Sequence, residues 1–139
     1  LGADGMNMGT RFCATKEAPL HDNVKQALVN ASERDTKLIM RTLRNTERVL
    51  TNGVADKILG IEASGNATID DIKHLVSGIE GKKMYDAGDM EAGVMSAGQV
   101  MGLIRDVPTC AELIHQIAAE AEVIINERLA GITGGAVLA

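Results

Sequence analysis

Gly9-Thr10, closing the run Gly2-Ala3-Asp4-Gly5-Met6-Asn7-Met8-Gly9-Thr10-Arg11-Phe12, has the residue types for holding an anion. Glycine lets a backbone approach a ligand closely, and an N–H and a hydroxyl then point at it. Many (β/α) barrels hold a cofactor phosphate in this way at the end of a strand. An ordinary strand-end turn would carry the same pair. Ser96, in Ser96-Ala97-Gly98-Gln99, is a second polar group set among small residues, although by itself it reads as a helix-packing residue. Asp70-Asp71 has the look of paired carboxylates for acid–base work, yet helix capping explains both. His21, His74 and His115 fall at a helix start or on polar helix edges, which suits solvated histidines. Cys13 and Cys110 lie far apart with no CxxC-type spacing, so no disulfide or metal set is expected.

The elements that must carry these residues follow from periodicity. The opening run reads as a short buried strand, and Cys13 to Pro19 as a loop into a helix. Pro19 suits a first-turn position, with Leu20, Val24, Ala27, Leu28 and Ala31 at helical spacing. Thr36 to Met40 is a strand or an extended connector, and Arg41 to Leu50 a loop that turns helical at Thr46. Asn52 caps a helix bearing Val54, Ala55, Ile58 and Leu59 that stops near Gly65. Thr68 and Asp71 form a capping-box variant opening a helix with Ile69, Ile72, Leu75 and Val76, ended by Gly78. Glu80 to Met90 is polar and glycine-bearing, hence loop.

Gly93 to Ile104 carries small residues at helical spacing, which allow close approach to another helix or to a flat ligand. Thr109 and Glu112 make a full capping box before a helix with the stripe Leu113, Ile114, Ile117, Ala121, Ile124 and Ile125. The tail from Ile132 is small, apolar and expected to fray.

Composition narrows the class. Net charge is −5 with acids and bases interspersed, which argues against a nucleic-acid partner. No apolar run approaches the ~20 residues of a membrane span. Widely spaced thiols without a signal peptide predict a reduced, cytoplasmic protein, so the sequons at Asn30 and Asn66 are accidental. With one Phe, one Tyr and no Trp, the core must come from aliphatic residues and the seven Met.

Four stretches resemble one family in the same order: residues 2–12 with Ala14-Thr15, Arg41-Thr42-Leu43-Arg44-Asn45-Thr46, Ser96-Ala97-Gly98-Gln99, and Pro108-Thr109-Cys110-Ala111-Glu112-Leu113-Ile114. They are similar to the nitronate monooxygenases, formerly 2-nitropropane dioxygenases. The resemblance implies an α/β fold: the C-terminal part of an FMN-binding TIM barrel, with its last strand, a mainly helical substrate segment and a closing helix. A closed barrel takes about 250 residues, more than this chain holds. The chain opens without methionine and already inside an element, so a last strand cut away from its barrel is expected. Residues 1–34 are then the last strand and following helix, 35–93 an inserted substrate segment, and 94–139 the helices returning to the barrel.

The implied activity is oxidation of alkyl nitronates, such as propionate 3-nitronate, with molecular oxygen. Met8, Gly9 and Thr10 would hold the FMN phosphate and Ser96 would face the substrate. The family's catalytic histidine lies upstream of this region, so none is expected here, and this chain alone is expected to be inactive. Met95 stands where relatives often carry Trp, a departure bearing on substrate preference. A homo-oligomer is compatible with the resemblance. Two other readings remain: an FMN-dependent enoyl-acyl carrier protein reductase, and a non-catalytic helical piece with an exposed apolar face.

Overall fold

The computed structural model describes residues 4–132. The expected fraying of the tail concerns residues almost wholly outside that range. The fold mixes helices with one small sheet. Its helices are α1 (Thr10–Cys13), α2 (Asp22–Asn30), α3 (Gly53–Glu62), α4 (Ile69–Ile72), α5 (Gly78–Ala87), α6 (Cys110–Val123) and α7 (Ala130–Ile132). Strands β1 (Thr36–Ile39) and β2 (Glu47–Leu50) pair antiparallel, Thr36 opposite Leu50 and Ile39 opposite Glu47. No helix among the described residues is long and apolar enough to cross a membrane.

Two apolar clusters fill the interior. One joins Val24 and Leu28 of α2 to Met84, Met95, Met101 and Ile104; the other joins Ile39 and Val49 to Val54, Ala55, Ile58 and Ile72. Methionine supplies much of the bulk that aromatic residues would otherwise give, as its adaptable side chain allows. β2 bridges the two, because Val49 belongs to one cluster and Leu50 to the other.

The caps formed by Asn52, Thr68 and Thr109 stand as their sequences predict, and Asn52 Oδ1 accepts the Ala55 N–H at 2.8 Å. Several boundaries differ. Residues 5–8 form no strand, since a strand needs a ladder partner and none runs beside them among the described residues. Pro19 precedes α2 instead of entering it, because the His21 side chain caps that helix, its Nδ1 accepting the Asn23 N–H at 3.1 Å. Arg41 to Leu50 is a hairpin return, not a helix start. Its turn sets Met40 at φ 57° and Arg44 at φ 55°, with none of the glycines that normally mark such a bend.

Glu62 explains why that turn holds. Its buried carboxylate accepts the Met40 N–H at 2.8 Å, the Thr42 N–H at 3.0 Å and the Thr42 hydroxyl at 2.7 Å. Burial pushes its pKa up, but the bonds from Thr42 and Met40, with the charge of Arg41, outweigh that and hold it below the usual carboxylate range.

α4 is one turn long, and Gly78 starts α5 where it was expected to end a helix. The stretch expected to be loop is thus helical, begun by Ser77 and closed by Gly88 in the left-handed conformation at φ 71°. Gly93 is the glycine that packing requires, since a Cβ there would lie 3.0 Å from the Gly81 nitrogen of α5. Gly93 to Ile104 is extended and then a 3-10 turn over Gln99–Leu103, not an α-helix. Backbone pairing beside β2 decides this. Leu50 N–H donates to the Met95 carbonyl at 2.9 Å and Ala97 N–H to the Arg48 carbonyl at 3.1 Å. Of the predicted stripe only Leu113 is buried; Ile114 on α6, and Ile124 and Ile125 in the π-helical stretch that follows it, are exposed.

Candidate functional site

The segment beside β2 brings residues 96–98 against the start of α1. Thr10 Oγ1 accepts the Gly98 N–H at 2.9 Å, a contact between residues 88 positions apart in sequence. A cleft of about 530 Å³ opens there. Its walls are mainly apolar, with Leu20, Met95 and Ala97, and Gly9, Thr10 and Ser96 all line it. Three of the four residues expected in a site therefore meet. Met8 does not: it lines a separate groove of about 470 Å³ with Leu113 and Ile117 of α6. Arg11, in the same groove, is paired with Asp106 at 2.6 Å.

Each polar group of the cleft is held by an identifiable neighbour. Thr10 opens α1, and the Gly9 carbonyl accepts the N–H groups of Phe12 and Cys13. Having accepted from Gly98, the Thr10 hydroxyl keeps its own proton to donate. Ser96 pairs with Val49 as an isolated bridge, and its hydroxyl donates to the Glu47 carboxylate. Arg48, half-buried on β2, donates from Nη1 to Thr36 Oγ1 at 2.8 Å. Tyr85 hangs from α5, whose end is tied back by the His21 N–H on the Tyr85 carbonyl at 2.8 Å.

Burial raises the Cys13 thiol pKa, and burial with the charges of Cys13 and Glu47 raises that of the Tyr85 phenol. Both are thus protonated near neutrality, which makes Tyr85 a donor and Cys13 a poor nucleophile. The cleft is equipped to bind and orient a ligand with donors. Among the described residues, no group lining it is a carboxylate or imidazole suited to take a proton from carbon.

The three histidines stand apart from the cleft lining: His21 caps α2, and His74 and His115 are exposed. Among the described residues no three His, Cys, Asp or Glu side chains gather as a metal-binding group. Arg48 and Tyr85 are the lining residues that sequence pattern does not find. Arg48 lay in a segment read as loop and helix, and Tyr85 in one read as loop. The chain's single tyrosine, three residues from a glycine that ends a helix, is the available signal.

The chain is similar to several known proteins. The chain is 29% identical over 158 aligned residues to (3aS,4S,5R,7aS)-5-hydroxy-7a-methyl-1-oxo-octahydro-1H-indene-4-carboxyl-CoA dehydrogenase of Rhodococcus jostii, taking in 86% of this chain and 44% of that protein. The Mycobacterium tuberculosis protein of the same name is 28% identical over 155 residues, with the same coverage. FabK from Thermotoga maritima superposes with a TM-score of 0.83 at 30% identity, over 94% of this chain and 40% of FabK. A point mutant of that FabK gives 0.74 at the same identity, over 94% of this chain and 37% of the mutant. The chain therefore spans less than half the length of these relatives. Residues 1–120 match the nitronate monooxygenase family, and the chain belongs to it.

Proposed function

We propose that this chain is the C-terminal part of an FMN-binding TIM-barrel enzyme of the cytoplasm that oxidises alkyl nitronates with molecular oxygen. The observation that carries the reading is the bond from Gly98 N–H to Thr10 Oγ1, which joins two family-like motifs at one cleft. Gly9 adds support. Its φ of −97° asks for no glycine, and a Cβ there would meet nothing within 4 Å. Nothing among its described neighbours therefore requires glycine at this position, whereas close approach of a phosphate would.

The residues present fit part of an FMN site. Gly9 and the free proton of Thr10 suit the phosphate, and Met95, Ala97 and Gly98 offer a small apolar wall to a flat ring. FMN, when bound, supplies the electron-transfer chemistry. Ser96, fixed by Glu47, orients substrate beside that wall, and Leu20 and Met95 keep water from it. The proton-accepting residue is expected from the part of the protein upstream of this chain.

A second reading, reduction of an enoyl thioester with NAD(P)H, is favoured by the FabK likeness. Substrate tests on the intact protein separate the two. Oxygen uptake driven by propionate 3-nitronate supports the first reading. Oxidation of NAD(P)H by an enoyl thioester, with no nitronate-driven uptake, replaces it with the second. Absence of FMN binding by the intact protein removes both.

A further inference from the structure

Asn52-Gly53 is the chain's one Asn-Gly pair. In such a pair the glycine nitrogen, unhindered by a side chain, can attack the amide carbon of the asparagine. A cyclic imide forms as the bond from that carbon to Nδ2 breaks, and the glycine proton leaves with ammonia. Water then opens the imide at either carbonyl, leaving aspartate or isoaspartate. No electron is gained or lost, and water is the only co-reactant.

The fold holds both reacting groups. Asn52 Nδ2 donates to the Met90 and Gly93 carbonyls, both at 2.7 Å, and its Oδ1 accepts the Ala55 N–H at 2.8 Å. Both amide protons are therefore committed. The Gly53 N–H is taken by Glu91 Oε2 at 2.8 Å. Attack requires the Asn52 side chain to turn from its partners and Gly53 to leave Glu91. Ring closure thus waits for the joint between α3 and residues 90–93 to open. Asn52 and Glu91 also line a groove of about 310 Å³, which gives water a way in. Residues beyond Gly93 lead directly to Met95, Ser96 and Ala97 in the larger cleft.

We propose that Asn52 is a site of self-modification, held off while this joint is closed and irreversible once it opens, whose product releases the segment that carries Met95 and Ser96. An aspartate still caps α3, but it only accepts hydrogen bonds and so repels the Met90 and Gly93 carbonyls. Isoaspartate adds a carbon to the main chain as well. The inference holds whichever reaction the cleft hosts.

The test uses the intact protein, aged at neutral pH either folded or in urea and then digested with trypsin. The peptide Val49–Lys57 reports deamidation by its mass. Several ordinary hydrogen bonds must break together, so the folded protein should react roughly a hundredfold more slowly than in urea. Glu91→Ala should speed the folded reaction roughly three- to tenfold. Glu91→Gln, whose amide oxygen still accepts the Gly53 N–H, should stay within about twofold of wild type. Equal rates in the fold and in urea overturn the inference. So does a Glu91→Ala rate at or below that of wild type, which would make Glu91 a base that drives closure. Release of the segment is read from hydrogen exchange at Ala97 and Gly98, whose amides the Arg48 carbonyl and the Thr10 hydroxyl hold. Asn52→Asp should lower protection there by roughly tenfold or more, and Asn52→Ser, which keeps a cap without adding charge, by less. Unchanged protection in both variants overturns the release.

Discussion

Replacing Thr10 by Val separates the two tasks that the proposed site gives to one hydroxyl. The shape is nearly conserved, so the change removes an oxygen and little else. The Gly98 N–H, half-buried and now without its 2.9 Å acceptor, should cost the apo protein about 1–2 kcal/mol in urea denaturation. The hydroxyl's own proton is the group offered to the FMN phosphate. Losing one hydrogen bond to a charged acceptor costs about 1.5–3 kcal/mol, which is roughly a 10- to 150-fold rise in the FMN Kd. Flavin fluorescence titration of the intact protein measures this directly. Thr10→Ser restores the oxygen and should bring both quantities back near wild type. An FMN Kd for Thr10→Val within about twofold of wild type would refute the phosphate role. The hydroxyl would then be only a strap between α1 and residues 96–98.

Two further outcomes follow from a buried carboxylate and from a contrast between two glycines. The Glu62 pKa is lowered in the fold, so its stabilisation is complete above the unfolded carboxylate pKa and is lost as pH falls through the folded one. Glu62→Gln should cost about 1–3 kcal/mol at neutral pH and flatten the acid limb of a stability-against-pH curve, since its amide group faces a donor. An unchanged limb means the carboxylate is not what holds the Met40–Arg44 turn. Gly102→Ala places a Cβ 2.7 Å from the Glu33 nitrogen and should lose about 1–3 kcal/mol in thermal melts. Gly9→Ala meets nothing and should cost no more than about 1 kcal/mol while still weakening FMN binding. Equal losses of stability in the two variants would refute the contrast.

Much of this was legible where a local signal decides the structure. Asn52, Thr68 and Thr109 each cap a helix through bonds within three residues, so their sequence spacing suffices. The hairpin was not legible, because Met40 and Arg44 adopt positive φ without glycine and the agent that holds them, Glu62, stands 22 positions from Met40. The α5 helix was hidden by Gly78 at its start and Gly81 within it, which read as breakers although a Cβ on either would meet no close contact. Small residues in 93–104 did signal close approach, but their partners are backbone at Glu33 and at Glu80-Gly81, with Ser96 drawn against β2. Gly9, Thr10 and Ser96 were found by type, whereas Arg48 and Tyr85 needed the fold.

The dependence of the cleft on that hairpin explains why a residue outside it should matter to binding. Arg48 and Ser96 face one cleft because residues 95–97 run along β2, fixed by Leu50 to Met95 and Ala97 to Arg48. β2 is aligned in turn by its register with β1, and the return between them is held by Glu62 from the end of α3. A slip of one residue in a two-stranded pair sends every side chain to the opposite face. Glu62 is thus a positioning residue, one whose loss acts on the site through register. Glu62→Gln should accordingly weaken substrate recognition by Ser96 more than it weakens the contact between Thr10 and FMN, since Gly9 and Thr10 are set by α1. If both fall in proportion to lost stability, the hairpin supports the whole fold without steering the site.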